Sequence, residues 1–290
     1  MKFEQLGLIG CGLMGSSFAL AMKKAGLVRR VVGYSKSPST TQKALKMGVI
    51  DVEAGSALMA ASGSDLVLIA VPVAATEATL KSIKHIITAQ TLVMDVGSTK
   101  RNVVDAARRV LKDQVGVFVA AHPIAGKELS GVEHADVTLY QNRQVILTPI
   151  ERTQTAQLNK AQAIWEALGC QVLKMSPEAH DSAYAAVSHL PHLIAFAMMN
   201  AITDQPNGRE YLSLAGMGFR DFTRIAASDS KLWTDVLMAN RHELLEQSRH
   251  FQKALQALER LMQNEQADQL EHEIDRASLT RAQWKMTQRK

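Results

Sequence analysis

Four blocks of this sequence hold residue types that can do chemistry at spacings that let them act together. The first is Gly10-Cys11-Gly12-Leu13-Met14-Gly15, a G-x-G-x-x-G run. The second, Asp95-Val96-Gly97-Ser98-Thr99-Lys100, leaves an apolar run and enters a helical pattern. The third is Ala121-His122-Pro123-Ile124-Ala125-Gly126-Lys127-Glu128, after another apolar run. The fourth is split between Ser188-His189-Leu190-Pro191-His192 and Gly218–Ala226, which includes Asp221 and Arg224. A glycine turn opening a helix aims free N–H groups at phosphates. A neutral histidine such as His122 can accept a proton at physiological pH. Ser98 can cap the following helix. Arg224 has a planar fork that suits a carboxylate, and Asp221 three residues earlier could steady it on one helix face. A solvated helix arginine is the plainer alternative, and Arg220 fits that role better. His189 and His192 have metal-pair spacing, but no acidic or third histidine ligand accompanies them, so no metal is expected.

These residues need a scaffold, and the apolar patterning supplies one. Strand-like runs occur at 5–9, 30–34, 65–71, 91–96, 115–121, 144–147 and 171–175. Helical patterns lie between several of them, at 16–26, 100–111 and 153–168, and that alternation predicts a doubly wound parallel sheet. Ser176-Pro177 reads as an N-cap with proline at the first helical position. No convincing strand follows, so residues 1–175 are expected to form an α/β dinucleotide-binding domain and 176–290 an all-helical one. Long apolar stripes in the last helices, such as Leu244, Phe251, Leu255, Leu258 and Met262, suggest a homodimer, with intramolecular packing as the alternative.

The apolar stretch Leu6–Met22 could be mistaken for a signal peptide, but Glu4 spoils a basic leader and three glycines interrupt the run. Strand, turn and helix explain it better. Gly10 permits the tight turn, Gly12 lets the backbone approach a pyrophosphate, and Gly15 lets helix and strand pack closely. Leu13 and Met14 at the helix start, and Val71 at the end of the run at 65–71, would line the same cofactor site. NAD sites place an acid at the end of the second strand. Residues 6–50 contain no Asp or Glu and seven Lys or Arg, and that position reads Tyr34-Ser35-Lys36-Ser37. Ser35 and Lys36 therefore favour NADP over NAD.

With 290 residues, 47% of them hydrophobic, the chain has room for two ordinary domains at ~100–200 residues each. Two cysteines, Cys11 and Cys170, make no disulfide framework, which points to a reducing cytoplasm. The net charge of +5 divides unevenly. Residues 6–50 carry +7 and Arg276–Lys290 carry +5, so the remainder is mildly acidic. Only 14 aromatic residues occur, and none interleave with a basic stripe, so neither nucleic acid nor a membrane is an expected partner.

Taken in order, the nucleotide turn, Asp95–Lys100, His122–Gly126, Ser188–His192, Gly218–Ala226 and Trp233–Asn240 resemble the prephenate/arogenate dehydrogenases of tyrosine biosynthesis. The resemblance runs from Gly7 to about Asn240. It implies a Rossmann-type domain followed by a helical dimerisation domain. The implied reaction is NAD(P)-dependent oxidative decarboxylation of prephenate, arogenate or both. His122 is then the acceptor for the ring hydroxyl proton, and Ser98 the serine bonding that histidine and the hydroxyl. Arg224 corresponds to the arginine that binds a substrate carboxylate. His192 resembles a substrate-site histidine, Asp181 an acid of the same polar network, and Glu128 a residue at the pocket mouth.

The resemblance does not extend to a carboxyl-terminal regulatory domain or a leading mutase domain, so tyrosine inhibition would have to act at the active site. A β-hydroxyacid dehydrogenase or imine reductase would suit the glycine turn equally well but has no counterpart for His122–Gly126 or Arg224. A non-enzymatic nucleotide sensor needs neither residue.

Overall fold

The computed structural model describes residues 2–126 and 129–285. They form two compact units, Met1–Asn240 and Arg241–Lys290. In the first, β1 (Phe3–Ile9), β2 (Val28–Tyr34), β3 (Val52–Glu53), β4 (Leu66–Ile69), β5 (Leu92–Asp95) and β6 (Phe118–Val119) make one sheet in the order β3-β2-β1-β4-β5-β6. Every pairing in it is parallel. Helices α1 (Leu13–Lys24), α2 (Pro38–Lys46), α3 (Ala57–Ala61), α4 (Thr76–Ile83) and α5 (Arg101–Leu111) alternate with the strands. Strand order reverses between β1 and β4, so a ligand crevice opens beyond their carboxyl ends.

Covering both faces of a parallel sheet requires strands apolar on both sides. Leu66, Leu68, Leu92 and Met94 face one cluster with Phe18 and Met22 of α1. Val67, Ile69 and Val93 face the other with Val103, Val104 and Ala107 of α5. The first cluster is closed by Phe18, Tyr140 and Trp165, whose rings meet edge-on at centroid distances of 5.0 to 6.4 Å. The Tyr140 hydroxyl donates to the Met14 carbonyl at 2.7 Å, and the Asp136 N–H donates to Ser17 Oγ. The segment from Asp136 to Tyr140 thus clasps the helix that follows the glycine turn.

The sequence suggested one sheet; the structure has two. After β6 the chain passes Ala120 and enters β7 (Ala121–Pro123), which joins β8 (Gln144–Leu147) and β9 (Gln171–Lys174) in a second sheet. β7 runs antiparallel to β8, which is parallel to β9. Much of the strand expected over 115–121 is a 3₁₀ turn, Lys112–Val117. The change of sheet follows from hydrogen bonding: Ala120 gives its carbonyl to Thr148 N–H, while Ala121 pairs with Leu147.

Helix α6 (Thr155–Ala167) precedes β9, and from Ser176 onward the described residues are helical. Ser176 caps α7 (Pro177–Tyr184) by accepting the Ala179 N–H at 3.1 Å, as the Ser-Pro pair predicts. A π turn, Ala185–His189, joins α7 to α8 (Leu190–Thr203) as one 27-residue helix. It is long and apolar enough to cross a bilayer by length and composition, yet α7 packs against α5 of the sheet. α9 (Gly208–Ser213), α10 (Met217–Thr223) and α11 (Ser230–Ala239) complete the unit. Compactness therefore divides the chain after Asn240, whereas the change from mixed to all-helical structure falls at residue 176. The second unit pairs α12 (Arg241–Gln263) with α13 (Ala267–Gln283).

Gly15 is, with Gly10, one of the two tightest points of the strand-turn-helix unit. A Cβ there would lie 2.2 Å from the Gly10 carbonyl oxygen and 2.9 Å from Ala70 Cβ. Backbone must move to admit it, so Gly15→Ala is expected to cost about 1–3 kcal/mol, read by chemical denaturation. A Cβ at Gly12 meets nothing within 4 Å. Gly12→Ala should leave the unfolding curve in place and weaken dinucleotide binding in a fluorescence titration.

Candidate active site

The carboxyl ends of β1, β4 and β5 carry the glycine turn, Val71 and the Asp95–Lys100 segment along one edge of the sheet. Gly10 takes φ +102° and presses against the Ala70 carbonyl, forcing the sharp turn; Gly12 opens to free space; α1 begins at Leu13. A dinucleotide pyrophosphate fits that opening, with N–H groups of the first turn of α1 to bind it. Ser35 Oγ accepts the Cys11 N–H at 2.8 Å, which orients the hydroxyl and leaves its own proton to donate. Lys36 is exposed. Glu53, just outside the acid-free window, pairs with Gly33 across β2 and β3 and brings an acid to this end of the sheet. The Cys11 thiol is pushed up to about 11, chiefly by burial, and is inert at neutral pH.

His122 sits in the middle of β7, opposite Ile146 of β8. Its Nδ1 lies 2.8 Å from His180 Nε2, and His180 Nδ1 lies 2.8 Å from Asp181 Oδ1. Asp181 also accepts the N–H of Lys100 at Oδ1 and that of Arg101 at Oδ2. Burial works to raise its pKa, but the bonds from His180 and these two N–H groups outweigh it and hold the carboxyl below its usual value. An ionised Asp181 only accepts, so His180 carries its proton on Nδ1 and accepts at Nε2. His122 must then carry its proton on Nδ1, which leaves Nε2 bare. Burial first, then the neighbouring His180, Lys100 and His189, hold His122 well below the ordinary histidine pKa. The result is a neutral imidazole whose accepting nitrogen is set by a chain of three residues.

Sequence reasoning found His122 and Asp181 but gave no role to His180, the link between them. Tyr184, one helical turn on, stacks over His180 with centroids 4.5 Å apart and tilts against His122 at 4.9 Å. The available signal was His180-Asp181 with Tyr184 at i+4, which is only legible once α7 is known to face β7. Ser98 does not cap α5. The side chain of Asp181 does so from another helix, and Ser98 lies half-buried in the loop before it.

His189 and His192 both lie against Trp233 but have different hydrogen-bond partners. His189 is buried, with Nδ1 3.1 Å from Asn240 Nδ2, and the same amide donates to the Asp181 carbonyl at 2.7 Å. His192 Nδ1 bonds the Ser188 carbonyl at 2.9 Å, and its ring stacks on Trp233 with centroids 3.4 Å apart. That fixes the neutral tautomer of His192 with Nε2 as an acceptor. Arg224 and Asp221 lie exposed on the neighbouring segment, which packs against α8. α10 ends at Thr223 and Arg224 opens a 3₁₀ turn, so the two do not share one regular helix face; Asp221 Oδ1 lies 3.5 Å from Arg220 Nε. Glu128 lies outside the described residues.

The fold and the site together define a class: a dinucleotide-binding α/β domain joined to a helical segment, with a buried histidine oriented where the two meet. Residues 18–174 match the model of the prephenate dehydrogenase nucleotide-binding domain, and 176–275 that of the prephenate dehydrogenase dimerization domain. A prephenate dehydrogenase from Bacillus subtilis is 35% identical over 91% of this chain and 71% of its own. A cyclohexadienyl dehydrogenase from Zymomonas mobilis is 31% identical over 92% of both. The structure superposes on a prephenate dehydrogenase from Aquifex aeolicus, solved with hydroxyphenyl propionate and NAD+, with TM-score 0.91 and 33% identity over 97% of this chain and 98% of that one. The chain belongs to the prephenate dehydrogenase family.

Burial holds His189 down at about 4, against 6.5 for a free histidine. Between those values the unfolded chain binds a proton that the folded chain refuses, so stability falls as pH drops through that window. The His189 contribution is expected to reach about 3 kcal/mol at the acid end. Denaturant unfolding at pH 7, 5.5 and 4.5 measures it, and His189→Gln should flatten the dependence.

Proposed function

We propose that this chain oxidatively decarboxylates prephenate to 4-hydroxyphenylpyruvate, arogenate to tyrosine, or both, with NADP+ preferred over NAD+. The observation that carries this reading is the His122–His180–Asp181 chain, tied through Ala121 and Lys100 to the carboxyl end of β5, the end of the parallel sheet that also carries the glycine turn. His122 Nε2 accepts the ring hydroxyl proton as hydride leaves the carbinol carbon; the ring carboxylate departs as CO2, and its bonding pair aromatises the ring. When bound, the nicotinamide ring supplies the hydride acceptor. Ser98 hydrogen-bonds the reacting hydroxyl and Arg224 binds a substrate carboxylate, with Asp221 on the same exposed segment but paired with Arg220. His192 Nε2, set by Ser188 and Trp233, accepts from a substrate polar group. Gly10, Gly12, Leu13, Met14, Gly15 and Val71 hold the dinucleotide. The preference for NADP rests on the oriented Ser35 hydroxyl and the Lys36 ammonium, with Glu53 the opposing charge.

Residues 1–175 then serve the dinucleotide and 176–290 the substrate and a second copy of the chain. Phe251, Leu255 and Met262, exposed along α12, support a homodimer. The partners in this reading are a small anion and a second subunit, with no nucleic acid or membrane, in the cytoplasm.

Crossing NAD+ and NADP+ against prephenate and arogenate, and following reduced nicotinamide, gives four values of kcat/KM. The highest is expected with NADP+; no reduction with either substrate would refute the reading. His122→Asn should lower kcat about 10²–10⁴-fold with little change in KM. Arg224→Ala should mainly raise KM, by a factor worth about 2–4 kcal/mol.

A further inference from the structure

Lys100 is buried and has no role in the reaction as described. Its side chain is 0% exposed, with Nζ 2.5 Å from Asp95 Oδ2 and 2.8 Å from the Ala121 carbonyl oxygen. Asp95 Oδ1 accepts the Ala121 N–H at 3.1 Å, and Oδ2 also accepts the Gly97 N–H at 2.8 Å. Both backbone groups of Ala121 are therefore held by side chains from the end of β5, in the way a neighbouring strand would hold them. The next residue is His122. The backbone N–H of Lys100 meanwhile donates to Asp181 at the far end of the histidine chain. One residue thus bonds Asp181 at one end of the proton-accepting chain and the residue preceding His122 at the other.

Stability alone does not account for such a pair. Burying an ammonium is costly, and well-packed apolar residues of similar volume often serve a fold as well or better. The location points to electrostatics instead. We propose that Lys100 is a positioning residue for the proton acceptor: with Asp95 it grips Ala121 and so places His122, and its buried positive charge disfavours a second proton on the His122–His180 pair. This rests on His122 being the acceptor.

Other charged or titratable groups face the pair as well. They are Asp95 from β5, Asp181 and Tyr184 from α7, and His189 from the π turn. Among them Lys100 is the cation: burial pulls its pKa down while Asp95 and Asp181 oppose that, and its charge acts on both His122 and His180 in the direction the proposal needs.

The test is the pH dependence of kcat/KM. Lys100→Met keeps the volume and removes the charge. Its acid limb is expected to move to higher pH, on the order of one unit, while thermal unfolding and circular dichroism show a folded protein. Lys100→Arg keeps the charge, and its acid limb should stay at the wild-type pH even where kcat falls. A purely structural lysine would lower the rate of Lys100→Met without moving the limb, and that result overturns the proposal. If neither variant folds, nitrogen NMR of lysine-labelled wild-type enzyme decides. A slowly exchanging buried ammonium that persists across the acid limb supports the proposal; a neutral amine, or no such signal, overturns it. Activity retained in His122→Asn would instead defeat the assignment of the acceptor, which separates the two failures.

Discussion

The arrangement depends on one carboxylate. Asp181 lies on the first helix of the all-helical segment, yet its oxygens close the N-terminus of α5 in the sheet layer and orient His180. Its own carbonyl is held by Asn240, which also meets His189. A buried carboxylate needs several donors, and here they are two N–H groups at a helix end, from Lys100 and Arg101, and the His180 ring. Satisfying that charge fastens α7 to the sheet, and with it the imidazole that sets the tautomer of His122. Structural and chemical roles therefore cannot be separated at Asp181: the bonds that secure the packing also decide which nitrogen accepts.

Much of this was legible in the sequence, and the exceptions have physical causes. The glycine turn was readable because each glycine answers a local constraint. Gly10 adopts positive φ, Gly15 lacks room for a Cβ, and Gly12 lies open. Ser176-Pro177 was readable for the same reason, since a cap acts over three residues. The second sheet was not, because strand periodicity does not say which strands pair; a single backbone bond at Ala120 diverts the chain. The π turn was equally silent. Its added residue per turn shifts the phase of α8 against α7, and it delivers His189 to Asn240 and to the edge of Trp233, on which His192 stacks. His180 escaped notice because its partner His122 is 58 residues away.

Cofactor choice shows how a linear count differs from a spatial one. The acid-free window of residues 6–50 ends just before Asp51, which is committed to Lys23 and the Val31 N–H. Glu53 follows and returns to the end of β2 through the short edge strand. The field at a ribose bound there is therefore set by Ser35 and Lys36 on one side and Glu53 on the other.

His122 is carried on a paired strand rather than on a loop. Its backbone is fixed across from Ile146, and its predecessor is held at both polar groups. Most of the conformational freedom of this imidazole is consequently surrendered once, during folding, and not again when a ligand binds. A molecule arriving beside it meets an imidazole already ordered, and whatever binding energy it brings is free to be spent on shaping the molecule itself.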